Sequence, residues 1–202
     1  MADINFTDTQ KDALKEIGNI CAGNAATALS QLLNRKISIV VPRIFILPIE
    51  QVFQAVGGID KLVAGLMVRV LGDMPSNIVL IFSQKDALVL ASFLTKKQVF
   101  ESSIMTDLER SAFKEIGVIL ANAYLGALGG FVGLGLVSTT PELVIDMTGA
   151  IIDYILIELS CKSEFAILVE SEFHEPMASV TGHFFLIPNP EGLEIFLRAI
   201  GK

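Results

Sequence analysis

The sequence predicts an α+β fold: a pseudo-two-fold duplicated unit, with two long helices packed on a shared, mainly antiparallel β-sheet. Three observations predict it. The first is a repeat. Shifted by 99 residues, Glu16 falls on Glu115 and Pro42 on Pro141, and the 31 aligned positions from Asp12 to Pro42 hold ten identities without a gap. Chance at ordinary residue frequencies would give about two. The second is that each copy opens with an amphipathic run of helical period and continues into apolar, β-branched runs. The third is the close spacing of those runs, which leaves no helix between each pair and implies antiparallel neighbours.

In the first half, the helix starts at a capping signal, Thr9-x-x-Asp12, and runs to about Leu33. Strands are expected over 37–49, 62–71 and 76–82, and a short helix over 85–94 closes the half. The second half repeats the plan. Thr106-x-x-Glu109 caps a helix running to about Leu134, strands follow over 142–147, 150–160, 164–173 and 179–187, and a helix over 191–200 ends it. The closing segments match in pattern: IVLIFSQKDALVLASFL (78–94) and HFFLIPNPEGLEIFLRA (183–199) each read strand, polar turn, helix. The expected organisation is one domain made of two homologous halves, about 1–98 and 104–202, joined near 96–105.

Composition narrows the function. More than half the residues are apolar, so the chain can bury a real core. Net charge is −7 with no basic run, which argues against nucleic acid and against an anionic membrane surface. Cys21 and Cys161 make no disulfide framework and suit a reducing cytoplasm. The start, MADINFTDTQKD, is polar and acidic and does not read as a signal peptide. Residues 117–137 carry no charge and are long enough to span a bilayer. They continue the charged start TDLERSAFKE, however, and their first-half copy holds Asn24, Gln31, Asn34, Arg35 and Lys36. A buried helix with small residues for close approach, GALGGFVGLG, is the simpler reading.

The two copies differ on one face. At about 100° per residue, Asp12, Glu16, Asn19 and Gly23 fall within about 60° of one another. Leu14, Ile17, Cys21, Ala25, Ala28 and Leu32 lie opposite and should be buried. In the second helix Ser111, Glu115, Val118 and Asn122 take the polar stripe, so Val118 is apolar on the wet side. Other candidates carry less. GNICAGNA has phosphate-loop spacing but lacks the Lys and Ser/Thr, and lies within a helix. Cys21 sits on the apolar arc, as a packed thiol would. Glu16 and Asp12, both exposed, do not form an acid–base pair. His174 and His183 are isolated, which offers no metal cluster.

The spacing Asp-x-x-x-Glu-x-x-Asn, then 22 residues, then Pro42 is specific. It resembles the signature of the CheC family of bacterial and archaeal chemotaxis phosphatases, which includes CheX and the FliY switch protein. DALKEIGNICAGNAATALSQLLNRKISIVVP carries the pattern in full; SAFKEIGVILANAYLGALGGFVGLGLVSTTP carries it except at Val118. The likeness extends over essentially the whole chain, including PELVIDM (141–147), so the C-terminal switch domain of FliY-type proteins is not expected in it.

The resemblance implies a two-component signalling hydrolase, acting on the aspartyl phosphate of the response regulator CheY. Such hydrolysis needs a water held in line with phosphorus. By the resemblance Asn19 would position that water, Glu16 would pair with the regulator's active-site Lys, and Asp12 would support the helix start. Mg²⁺ would sit on the regulator, with no cofactor on this chain. Ser111, Glu115 and Val118 would form a second, degenerate site, able to dock the regulator without orienting water. The family also binds the receptor deamidase CheD, and Asp146 would be the contact residue. Two readings follow: a CheY phosphatase working mainly through the first half, or a weakly catalytic adaptor that holds CheD or phosphorylated CheY. The internal duplication favours a monomer.

Overall fold

The computed structural model describes residues 7–96, 104–158, 165–175 and 178–201. The first half runs α1 (Asp8–Leu33), β1 (Ser38–Pro48), a helical turn (Ile49–Gln51) leading into α2 (Val52–Ala55), β2 (Leu62–Gly72), β3 (Ser76–Ser83) and α3 (Gln84–Thr95). The second runs α4 (Asp107–Val132), β4 (Leu136–Ser138), β5 (Glu142–Met147), α5 (Thr148–Glu158), β6 (Phe165–Glu175), β7 (Ala178–Pro188) and α6 (Pro190–Ile200). The expected join near 96–105 lies largely outside the described residues.

The sheet is antiparallel throughout, in the order β1-β6-β7-β3-β2, with β4 and β5 both on the outer edge of β2. The order has the same meaning from either end. β1 of the first half pairs with β6 of the second, β4 and β5 of the second half pair with β2 of the first, and the last strands of the two halves, β3 and β7, meet in the middle. The two stretches of chain therefore exchange their edges.

Both faces are covered, which is why the central strands read as unbroken apolar runs. Ile78, Leu80 and Phe82 of β3 point with Phe184 and Leu186 of β7 into the main core, beneath α1, α4, α3 and α6. Val79, Ile81, Phe185 and Ile187 point the other way, into a smaller core with Val52 of α2 and Ile151, Ile152 and Ile155 of α5.

Several expectations change. Of the run 150–160, residues 150–158 are not a strand but most of α5, and the rest lie outside the described residues: Ile151, Ile152 and Ile155 are buried while Asp153, Tyr154 and Ile157 are exposed, a helical stripe. A β-branched run of this length suits either state, and packing on the sheet decided it. Short helices stand between first and second strands in both halves, and antiparallel pairing survives because those strands are not partners. β4 and α2 were not anticipated. The first cap is Thr7, not Thr9: Thr7 Oγ1 accepts from the Gln10 N–H at 3.3 Å, and Gln10 Oε1 accepts from the Thr7 N–H at 3.0 Å. Thr106 and Glu109 form the matching box in α4, 99 residues on, as expected. α4 is long and apolar enough to cross a membrane, but Phe113, Ile116, Leu120, Tyr124 and Leu125 bury its apolar side in the main core. Of its GALGG glycines, Gly129 is in tight contact, 2.6 Å from Leu134 O at the position of a Cβ, whereas Gly126 and Gly130 are exposed with nothing within 4 Å.

Candidate functional site

α1 owes its placement to its small and apolar residues. Leu14, Ile17, Cys21 and Ala25 are buried, and Ala28 and Leu32 are half-buried at the margin. Gly18 lets the helix sit down on β1: a Cβ there would collide with Ile44 Cδ1 and lie 3.5 Å from Val41 Cγ1. Gly117 does the same for α4, where a Cβ would collide with Leu66 Cδ1 of β2. This steric need accounts for the glycine of the repeated KEIG. It also seats each helix so that the following residue, Asn19 or Val118, turns away from the sheet.

Asp12, Glu16, Asn19 and Gly23 are all exposed, in one stripe along α1. Among the described residues, the side chains of Asp12, Glu16 and Asn19 have no hydrogen-bond or ion-pair partner. Pro42 is 23 positions from Asn19 in sequence, yet it lies on the part of β1 that Gly18 touches, between Val41 and Ile44. There β1 has a register slip between Val40 and Arg43, a place where a residue without an N–H can sit in an edge strand. Pro141 occupies the matching break between β4 and β5, where Thr139 N–H donates to Arg69 O at 2.9 Å and Thr139 Oγ1 accepts from Arg69 N–H at 3.1 Å.

The second stripe is not equivalent. Ser111 and Glu115 are exposed, Val118 is half-buried, and Asn122 is exposed with its Oδ1 accepting from Ser138 Oγ–H at 2.7 Å. Asn122 is thus engaged by the strand β4 and lies one turn beyond Val118.

The remaining candidates fall where their chemistry suggests. Cys21 is buried, donates to Tyr124 O at 3.5 Å, and is pushed up to about 12 by burial, which makes it an inert thiol. Cys161 lies outside the described residues. GNICAGNA lies wholly inside α1, so it makes no loop. His174 pairs with Glu172 at 3.3 Å and Ser179 Oγ at 3.2 Å; burial pulls the His183 imidazole below its usual 6.5. Asp146 is exposed on the edge strand β5, and its Oδ1 accepts from the Met147 N–H at 2.7 Å. Leu62 and Met147, directly opposite each other across β2 and β5, are both exposed beside it.

A family model described as CheC-like matches residues 10–46, the stretch that holds Asp12, Glu16, Asn19 and Pro42. The chain is 34% identical over 198 residues to the CheY-P phosphatase CheC of Bacillus subtilis, covering 96% of this chain and 95% of that protein. The chain belongs to the CheC-like family. Solved structures agree on the fold. FliY of Thermotoga maritima superposes with a TM-score of 0.76 at 19% identity, covering 98% of both chains. The FliM middle domain of H. pylori superposes with a TM-score of 0.66 at 12% identity, covering 96% of this chain and 99% of that one.

Within this CheC-like chain the candidate site is an exposed amide and two exposed carboxylates on one helix face. An amide accepts with its oxygen and donates with its nitrogen, so it can hold a water; a carboxylate one turn away can pair with a cation. The stripe offers no nucleophile and no strong base.

The glycines give a direct test of this packing. A glycine inside a helix costs about 1 kcal/mol relative to alanine, so each needs a reason. Gly18 has one and Gly23 has none within the chain, since nothing lies within 4 Å of a Cβ at Gly23. Gly18→Val is expected to destabilise by about 1–3 kcal/mol through overpacking. Gly23→Ala is expected to stabilise by up to about 1 kcal/mol. Urea unfolding of the two variants reads both, and equal effects would contradict the seating of α1 described above.

Proposed function

We propose that the protein is a phosphatase that removes the phosphoryl group from the aspartyl phosphate of a CheY response regulator. The observation that carries the reading is the stripe itself: Asp12, Glu16 and Asn19 stand exposed on one face of α1 with no partner among the described residues. Membership of the CheC-like family, and the likeness to the CheY-P phosphatase CheC of Bacillus subtilis, support it. An acyl phosphate is already activated, so the enzyme's task is to place a water in line and exclude misaligned approaches. In this reading Asn19 holds the water, Glu16 pairs with a lysine at the regulator's phosphorylation site, and Asp12 supports the first turns of the helix. Mg²⁺ belongs to the regulator, where it neutralises charge on the phosphoryl oxygens. Ser111 and Glu115 dock a regulator at the second half, but Val118 has no group to hold a water. The protein works as a cytoplasmic monomer whose two halves form one domain.

The test is the decay of phosphorylated CheY with and without the protein. Acceleration at substoichiometric amounts supports the phosphatase. Binding with unchanged decay would move the protein to the adaptor reading.

A second role as a CheD-binding protein has one observation in its favour: Asp146 is exposed on an edge strand beside exposed Leu62 and Met147, a polar anchor with an apolar flank. Asp146→Lys is expected to weaken a CheD pull-down at least tenfold, because a reversed charge at such an anchor costs more than its loss. An undiminished pull-down would remove Asp146 from that interface.

A further inference from the structure

The structure separates helix glycines into two kinds. Gly18, Gly117 and Gly129 are required by a neighbour that a Cβ would strike. Gly23, like Gly126 and Gly130 of α4, is exposed and a Cβ there would meet nothing, although it stands in the middle of a 26-residue helix, where glycine is unfavourable. It is four residues beyond Asn19 and seven beyond Glu16, which puts it on their stripe, one turn from the amide. At i+3 from Asn19 is Ala22, which is buried. Gly23 is therefore the neighbour of Asn19 on the C-terminal side of the stripe, and it has no side chain.

Asparagine is short. For its amide to hold a water that attacks phosphorus, the phosphorylated surface must come to within one water layer of the Asn19 amide. A longer side chain one turn away would hold that surface off. In the second half the counterpart of Gly23 is Asn122, exposed and engaged by Ser138 at 2.7 Å. On these grounds we infer that Gly23 is the close-approach point for the phosphorylated regulator, and that the second half lost turnover at two positions, Val118 and Asn122, rather than at one. The inference rests on the phosphatase reading and adds the residue that sets access to its site.

The experiment uses the full chain in four forms beside wild type: Gly23→Asn, Gly130→Asn, Asn19→Ala/Val118→Asn, and the last with Asn122→Gly added. Gly130 is the control, an exposed helical glycine with nothing within 4 Å, on the other helix and outside the first stripe. Two readouts are taken: steady-state dephosphorylation of CheY, and binding of CheY activated with beryllofluoride. Gly23→Asn is expected to raise KM and weaken binding about tenfold, with kcat within about twofold, because it removes docking rather than water placement. Gly130→Asn should leave both readouts unchanged. In the Asn19→Ala background, Val118→Asn alone should restore turnover only at a KM about tenfold above wild type, and adding Asn122→Gly should bring that KM down. Asn122→Ala replaces Asn122→Gly if the glycine unfolds the helix, as circular dichroism would reveal.

An unchanged KM in Gly23→Asn, or full recovery by Val118→Asn alone, overturns the inference while leaving the phosphatase reading intact. If wild type does not accelerate decay at all, that reading fails. The binding readout then decides: weaker binding by Gly23→Asn upholds the close approach, and equal binding removes it.

Discussion

Asn19→Ala is expected to abolish most of the acceleration of CheY dephosphorylation, a loss on the order of 100-fold in kcat. The size follows from what the site contains. In the proposed reading the rate enhancement lies in placing one water, and Asn19 supplies the exposed amide of the Asp12–Gly23 stripe. KM should change little, since Glu16 keeps its partner; Glu16→Ala should show the reverse pattern, a higher KM with kcat less affected. The fold should be indifferent to Asn19→Ala, because the side chain is exposed and has no partner among the described residues. Single-turnover decay at saturating protein separates the two variants. If Asn19→Ala retained wild-type turnover, the first half would not be the working half. If both variants raised KM alone, Asn19 would be a docking residue.

A chain of residues 1–98 alone is expected not to fold as a monomer, and the same holds for 104–202. Each half lacks the partner of its own first strand. β1 bonds to β6, from Ser38 opposite His174 to Pro48 opposite Phe165, a strand that belongs to the other half, and β5 bonds to β2 in the same way. The central β3–β7 pair would be opened as well, exposing apolar Ile78, Leu80, Phe184 and Leu186 together with a row of unpaired backbone groups. Tyr124 adds a buried link across the layers, with its hydroxyl 2.8 Å from Ser171 Oγ and its ring stacked on Phe184 at 4.3 Å. Far-UV circular dichroism and a urea titration read the outcome. A cooperative, monomeric transition for either half would show that the exchanged edges are not needed for stability, and that the chain is two domains rather than one.

Much of the site was legible in the sequence because it depends on one helix. The 3.6-residue period places Asp12, Glu16, Asn19 and Gly23 on one side and Leu14, Ile17, Cys21 and Ala25 on the other, and no distant residue alters that rotation. The change from Asn19 to Val118 was visible for the same reason. The cap lies at Thr7 rather than Thr9 because Thr7-x-x-Gln10 is a full capping box and Thr9-x-x-Asp12 only a weaker variant, a difference the local sequence already holds. The run around Ile151, Ile152 and Ile155 was read as a strand because β-branched residues suit either state until a surface claims one face.

What the sequence determined by itself is the local periodicity: two helices of one pattern, their wet stripes, and the apolar runs between them. What the tertiary structure decided is everything that depends on contacts between residues far apart in the chain. It chose to pair β1 with β6 and β5 with β2 across the halves, turned 148–158 into a helix, and brought Val41 and Ile44 of β1 against Gly18. It also separated glycines that look alike in sequence, since Gly18 is required by Ile44 and Gly23 by nothing in the chain. The physical reason is range. Helical rotation is set by dihedral angles within a few residues, whereas strand pairing and close packing are set by which surfaces remain to be covered once the chain has collapsed.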